Sequence, residues 1–243
     1  MTVVALWLLA VGVADLVRWS TERAGRMRTV AGLATAAALT LVLSILLGFT
    51  FWATLAWTVV VAAGVALWLF TSDRALSRTR RTGWSLAVMT GYLLGLLATS
   101  GLAPEASGPL HEWYVGLQIP ALRALPLEKF LLSLAALIFL QSTANRVTRL
   151  ILVAAGTPAE QGESTLRGGR IIGPMERTLI FALAATGQLT AAAAVIAAKG
   201  VLRFPEIRSA TENEHSGIAS VTEYFLIGTL ASWLQAFALT LLL

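Results

Sequence analysis

The sequence predicts an all-α protein, a polytopic transmembrane helical bundle of about seven spans. Of the 243 residues, 57% are hydrophobic and 13% are charged, whereas about 25% of the residues of a soluble domain are charged. The mean hydropathy is +0.76, and the apolar residues form repeated runs near the roughly 20 residues that cross a bilayer as a helix. The predicted spans are about 2–18, 29–48, 51–71, 84–102, 130–153, 176–199 and 221–242.

Arginine residues are concentrated in alternate connections between these spans. They flank the first, third and fifth connections, whereas the second connection, near Gly48, is short and uncharged. Positively charged loops stay in the cytoplasm, so we expect the N-terminus outside and the C-terminus in the cytoplasm. We therefore assign the net charge of +5 to topology and to contact with anionic lipid headgroups, and not to nucleic acid. The chain has no cysteine, which excludes disulfides and thiolate chemistry.

The composition divides the chain into three parts. Residues 1–102 form an N-terminal half of four spans, and 130–243 form a C-terminal half of three spans that carries the polar motifs. The outer segment between them, 103–129, contains four prolines and cannot be one continuous helix. Trp113 is expected to anchor part of this segment at the membrane interface.

The sixth predicted span contains regularly spaced polar residues. Arg177, Gln188 and Lys199 are eleven residues apart, close to three helical turns, so one continuous helix would place them on one stripe, with Arg203 a turn further on. Polar side chains at membrane depth usually face other protein groups or a polar path. We expect a single span here. The alternative is a break at Gly187 that returns Lys199 to the cytoplasmic side.

Two carboxylates lie close to this stripe. Glu176 follows Pro174 in what the sequence predicts to be the first helical turn, where it would cap the helix or pair with an arginine at the end of the fifth span. Glu223 opens the seventh span at the level of Lys199, so it is the expected counter-charge. In the first span Asp15 stands three residues before Arg18, a spacing typical of an ion pair on one helix.

Further polar residues occur on the fifth span and before the sixth. Gln141, Asn145 and Arg149 are four residues apart and would share one helix face, where hydrogen bonds between helices or a ligand site would explain them. Arg170 lies near a helix start, a position suited to a lipid phosphate. The pairs His111-Glu112 and Glu214-His215 give only a weak metal signal, and we expect no metal site and no cofactor.

The C-terminal half contains the segments 169–177 (GRIIGPMER), 187–188 (GQ), 197–199 (AAK), 203–204 (RF) and 223–230 (EYFLIGTL). In these segments it resembles a bacterial integral-membrane family named domain of unknown function 3307. The similarity covers roughly 128–243, and the resemblance implies a shared fold and a bacterial inner-membrane location, with no established activity. Members typically carry His, Asp and Gln at four-residue intervals in the first helix. Here Asp15 matches, while Val11 and Trp19 occupy the other two positions.

Three functions fit these patterns. The leading hypothesis is a polar pathway or pocket between the last three spans for a small ion, an anionic solute or a lipid headgroup. A lipid-modifying enzyme at the cytoplasmic face would use Arg170, Glu176 and Arg177. A non-catalytic assembly or regulatory subunit would bind a second membrane protein, or a second copy of the chain, through the small-residue stripe at Gly91 and Gly95. No nucleophile arrangement is present, so catalysis is the weaker expectation.

Overall fold

The computed structural model describes residues 1–18, 26–78, 82–156, 169–213 and 218–243, and the regular structure in these ranges is helical. The chain forms two compact units, Met1–Thr143 and Ala144–Leu243. The sequence places the division earlier, at the proline-rich segment. Helices in order are α1 Thr2–Val17, α2 Arg26–Leu46, α3 Phe51–Arg78, α4 Thr82–Thr99, α5 Pro109–Gly116, α6 Pro120–Arg123, α7 Leu127–Gln141, α8 Thr143–Ala154, α9 Gly169–Ala185, α10 Leu189–Asn213 and α11 Ile218–Thr240.

The first unit is built around α1. Nearly every residue of this helix is buried, including Trp7 and Asp15, and the helix packs against α2, α3 and α7. A helix that is apolar on all sides is found in the core of a protein or as a membrane span, and α1 is covered by other helices of its own unit. The first predicted span is therefore the core of its unit, and the helices around it form the outer surface.

Contacts along α1 fix the directions of its neighbours. Thr2 donates a hydrogen bond to Glu128 at the start of α7 (3.2 Å). At the other end, the Ser142 hydroxyl donates to the Gly12 carbonyl (2.8 Å), so α1 and α7 run parallel. The indole of Trp68 reaches Asp15 (2.9 Å), which places the C-terminal part of α3 beside that of α1.

The arginine-flanked ends of α1 and α3 therefore lie at one end of the first unit. The uncharged turn after α2 lies at the other end, where Gly48 has a positive φ of 80°. There the backbone N–H groups of Ser107 and Gly108 both donate to the Leu47 carbonyl (3.1 Å each). The alternation of charged and uncharged connections in the sequence thus corresponds to two opposite ends of this unit.

In the part of the chain that the structure describes, three helical segments are long and apolar enough to cross a membrane: Arg26–Leu46, Phe51–Ser77 and Thr82–Leu102. Their outward faces carry large exposed apolar side chains such as Val42, Trp52 and Leu94, as expected for contact with lipid. Counting the interrupted pair α7 and α8 as one span gives up to four in the described residues. The all-helical class is confirmed, and the number of seven spans is not.

The fifth predicted span is interrupted at Ser142. This residue is buried between Gln141, the last residue of α7, and Thr143, the first of α8. Its hydroxyl bonds the Ile138 carbonyl one turn back (3.0 Å), a contact that bends helices, as well as the Gly12 carbonyl. The expectation that Gln141 and Asn145 share one face of one helix is therefore wrong, because they belong to different helices.

The sixth predicted span is also broken, in the second unit. Helix α9 ends at Ala185, and Gly187 adopts a positive φ of 76°, which glycine adopts without steric cost. Glu176 and Lys199 lie eleven and twelve residues from this turn and form an ion pair. A straight helix would hold residues 23 positions apart at a separation of about 35 Å. The chain therefore reverses at Gly187, and the single span is wrong.

Candidate functional site

Helix α9 carries Arg177 into the interior of the second unit, where its side chain is only 2% exposed. One guanidinium nitrogen, Nη2, donates to the side-chain oxygen of Asn145 on α8. The other, Nη1, donates to the hydroxyl of Ser232 on α11 (3.3 Å). A single buried cation therefore connects three helices of this unit.

Both acceptors of Arg177 are electrically neutral. Within the described ranges no carboxylate forms an ion pair with this guanidinium, and its Nε has no hydrogen-bond partner there. Transferring a charged group out of water is costly unless an opposite charge and hydrogen bonds compensate it. The groups that hydrogen-bond Arg177 are neutral, and the carboxylate that interacts with it electrostatically, Glu176, is also the ion-pair partner of Lys199.

A second cation lies on the neighbouring helix of the hairpin. Lys199 forms an ion pair with Glu176, the residue before Arg177, and both side chains are largely buried, with 17% and 20% exposed. Its ammonium nitrogen also lies 5.9 Å from the centre of the Trp233 ring, within the range of a cation–π interaction. The Trp233 indole nitrogen is buried, with no hydrogen-bond acceptor in the described part of the chain.

We call these six side chains the Arg177 cluster. Its hydrogen-bond donors and its two cations are suited to an anion, and aromatic and hydroxyl groups on α11 complete it. Its members are Asn145, Glu176, Arg177, Lys199, Ser232 and Trp233.

Helix α9 begins at Gly169, earlier than the sequence predicts, and Pro174 lies inside it. Glu176 is therefore in the second turn and does not cap the helix. Its partner is Lys199, not an arginine of α8, and the expected counter-charge, Glu223, is exposed on α11.

The structure brings together only some of the predicted site residues. Arg177 contacts Asn145, and Glu176 contacts Lys199. Gln188 is exposed in the turn of the hairpin, and Gln141 belongs to the first compact unit. The predicted stripe through Gln188 therefore does not exist. The side chains of Arg170 and Arg203 lie outside the described residues.

Residues of α11 complete the site, and sequence reasoning missed them. Ser232 and Trp233 contact the two cations, and Gln235 donates from Nε2 to the Thr148 hydroxyl of α8 (3.0 Å). Ser232 and Gln235 are three residues apart in an otherwise apolar helix. This spacing places two polar groups on one face of the helix. It is the feature of the sequence that could have indicated that α11 contributes to the site.

A separate charged cluster occurs in the first unit. The predicted pair of Asp15 and Arg18 is present, with 3.8 Å between charged atoms and both residues buried. Arg18 also contacts Asp73 of α3, whose side chain is 34% exposed. Trp68 donates to the Asp15 carboxylate. These contacts join α1 to α3 at the arginine-flanked end of the unit.

We compared the chain with protein-family models, with curated proteins and with solved structures. None of the three comparisons found a match. The resemblance to domain of unknown function 3307 stays a prediction. Within the described ranges, no group of three or more His, Cys, Asp or Glu side chains could hold a metal ion.

Proposed function

We propose that this chain is a multi-pass membrane protein that binds an anion at the Arg177 cluster. The ligand is a small anion or the anionic headgroup of a lipid, since either supplies the negative charge and the acceptor atoms that this site fits. The observation that carries the proposal is the burial of Arg177 among neutral acceptors, beside a second cation on α10.

The membrane location is supported by the three apolar helices and their exposed apolar side chains. The positions of the arginines add support, because the charged ends of α1 and α3 lie together. The positive-inside rule assigns this end to the cytoplasm. The inner membrane of a bacterium is the proposed location because of the resemblance to domain of unknown function 3307.

The α9–α10 hairpin is proposed to enter the bilayer without crossing it. From the ion pair of Glu176 and Lys199 to the turn at Gly187 there are eleven residues, about 17 Å of helix. This is roughly half of the 30 Å hydrocarbon thickness. Residues 185–190 around the turn are exposed in this chain. This placement therefore requires further protein to cover the turn, because non-helical backbone is tolerated at membrane depth only where protein buries it or where it lines a water-filled cavity.

A returning hairpin changes the expected position of the C-terminus. Helix α11 then starts on the side from which α9 entered and crosses to the opposite side. The C-terminus is therefore proposed to lie outside, in place of the cytoplasmic position expected from seven single spans.

Binding measurements on the purified protein test the proposal. In an uncharged detergent, we expect retention of radiolabelled chloride or, in a second arm using native mass spectrometry, of phosphatidylglycerol over phosphatidylcholine. Arg177→Gln should abolish whichever binding is found, and Arg177→Lys should weaken it because the planar fork is lost.

The matched control is Arg26→Gln, which removes an equal charge from an exposed position at the start of α2. It should leave binding unchanged. If the wild type retains neither chloride nor phosphatidylglycerol, or if Arg177→Gln binds as well as Arg26→Gln does, the proposal is wrong.

The subunit hypothesis is supported by one observation on α4. Gly91 and Gly95 are exposed, and a Cβ at either position would meet no atom of the described chain within 4 Å. The face is open to another helix. Co-purification of a stoichiometric membrane protein or a second copy, lost in Gly91→Leu, would support this role. The enzyme hypothesis gains no such support, because its carboxylate, Glu176, is engaged by Lys199.

A further inference from the structure

We infer that the ligand of the Arg177 cluster is a singly charged anion, and that Glu176 determines this charge. The inference rests on the proposed function and specifies its ligand class. Chloride, nitrate and small monocarboxylates belong to this class, as does the phosphodiester headgroup of phosphatidylglycerol. Sulfate and phosphomonoesters, which carry more negative charge, do not.

The argument begins with the charges in the cluster. Arg177 and Lys199 contribute two positive charges and Glu176 one negative charge, while Asn145, Ser232 and Trp233 are neutral. The sum is +1. In a poorly solvated site, net charge is strongly unfavourable, so one negative charge from a ligand gives neutrality. A dianion would leave the site with one excess negative charge.

Among the described residues, no further charged side chain contacts Arg177, Glu176 or Lys199. Glu223, on the same helix as Trp233, is exposed to its surroundings.

The available donors support the same ligand class. Arg177 Nε and Trp233 Nε1 are buried N–H groups whose acceptors are not provided by the described protein atoms. Buried donors of this kind are normally satisfied, and one or two acceptor atoms of a monoanion suffice for them. Lys199 is different, because its ammonium group already binds the Glu176 carboxylate.

Glu176 therefore acts as a resident anion in the site. Replacing it with glutamine would raise the sum to +2 and release the Lys199 ammonium group for the ligand. A dianion would then give neutrality, so the preference of the site should move from singly to doubly charged anions.

Competition experiments on the full-length protein test this. For the wild type, nitrate should displace radiolabelled chloride at about tenfold lower concentration than sulfate at equal ionic strength, since tenfold is a modest discrimination for a buried charge. If the bound species is a lipid, phosphatidylglycerol should be retained about tenfold better than phosphatidic acid, a phosphomonoester.

Glu176→Gln should reduce or reverse either preference by about tenfold. The matched control is Glu105→Gln, which removes a carboxylate from an exposed position outside the cluster and should keep the wild-type preference. The wild-type comparison stands even if Glu176→Gln fails to fold.

The outcomes separate the two proposals. If binding depends on Arg177 but does not favour the monoanion, this inference is wrong, while the proposed anion-binding function still holds. An unchanged preference in folded Glu176→Gln overturns the role of Glu176. Retention of no anion in either arm overturns the proposed function, and this inference with it.

Discussion

Lys199 of α10 forms an ion pair with Glu176 of α9, 23 residues earlier in the chain. The pair exists because the chain reverses at Gly187, about midway between them. It closes the open side of a helical hairpin and holds the Lys199 ammonium group near Trp233. The same contact determines how much positive charge the buried site presents.

The reversal depends on glycine at position 187. Gly187→Ala places a Cβ on a left-handed backbone, which costs about 1–2 kcal/mol. We expect destabilisation of that size in detergent-based unfolding titrations. Gly200→Ala is the control, because Gly200 lies inside α10 with a negative φ and open space around it. It should be neutral or stabilise by up to about 1 kcal/mol, and equal losses in both variants would contradict this account of the turn.

The ion pair of Glu176 and Lys199 should contribute measurably to stability. Because about a fifth of each side chain is exposed, we expect a loss of about 1–3 kcal/mol for Glu176→Gln or Lys199→Met, between the values for exposed and buried pairs. The double variant should lose less than the sum of the single variants. Strict additivity in the unfolding titrations would show that the two groups do not interact.

In the first unit, Arg18 should be more important for stability than Asp73. Arg18→Met removes a cation beside the buried Asp15 carboxylate and should cost about 3–5 kcal/mol. Asp73→Asn should cost about 1 kcal/mol or less, since Asp73 is partly exposed and exposed pairs contribute little. Arg18→Met combined with Asp15→Leu should recover part of the loss. Failure to recover would mean that packing, and not charge, explains the effect.

The absence of cysteine makes the topology directly testable with single-cysteine variants and a membrane-impermeant maleimide. Thr50→Cys and Leu243→Cys should react in intact cells, and Ser77→Cys only after permeabilisation. Gln188→Cys should stay protected in both conditions, because the hairpin turn is proposed to lie within the bilayer. Labelling of Leu243→Cys only after permeabilisation would restore the single-span arrangement.

Much of the first unit was predictable because its determinants are local. Continuous apolar runs specify α1 to α4, and the three-residue spacing of Asp15 and Arg18 specifies their pair. Trp68 and Asp73 could not be assigned to this cluster, since they lie 53 and 55 residues from their partners. Which distant helices pack together is not encoded in local periodicity.

The spacing in the second unit was compatible with two folds. Residues 177 and 199 are each eleven positions from Gln188. On a straight helix this spacing would place all three residues on one stripe. In a hairpin that reverses near Gln188, it places residues 177 and 199 side by side on the two helices. Glycine reduces helix stability without forcing a turn, so Gly187 did not decide between the two. In the structure, the predicted residues Arg177, Glu176, Lys199 and Asn145 belong to the cluster and Gln188 does not. Ser232 and Trp233 of α11 belong to it and were not predicted.

The most direct test of the central claim is to locate a bound anion beside Arg177. Bromide, a singly charged anion with an anomalous signal, would be used with crystals of the full-length protein. We expect an anomalous peak within hydrogen-bond distance of the Arg177 guanidinium, or headgroup density there if a lipid occupies the site, and neither in Arg177→Gln. A wild-type structure in which bromide and lipid headgroups bind only away from Arg177 would contradict the account.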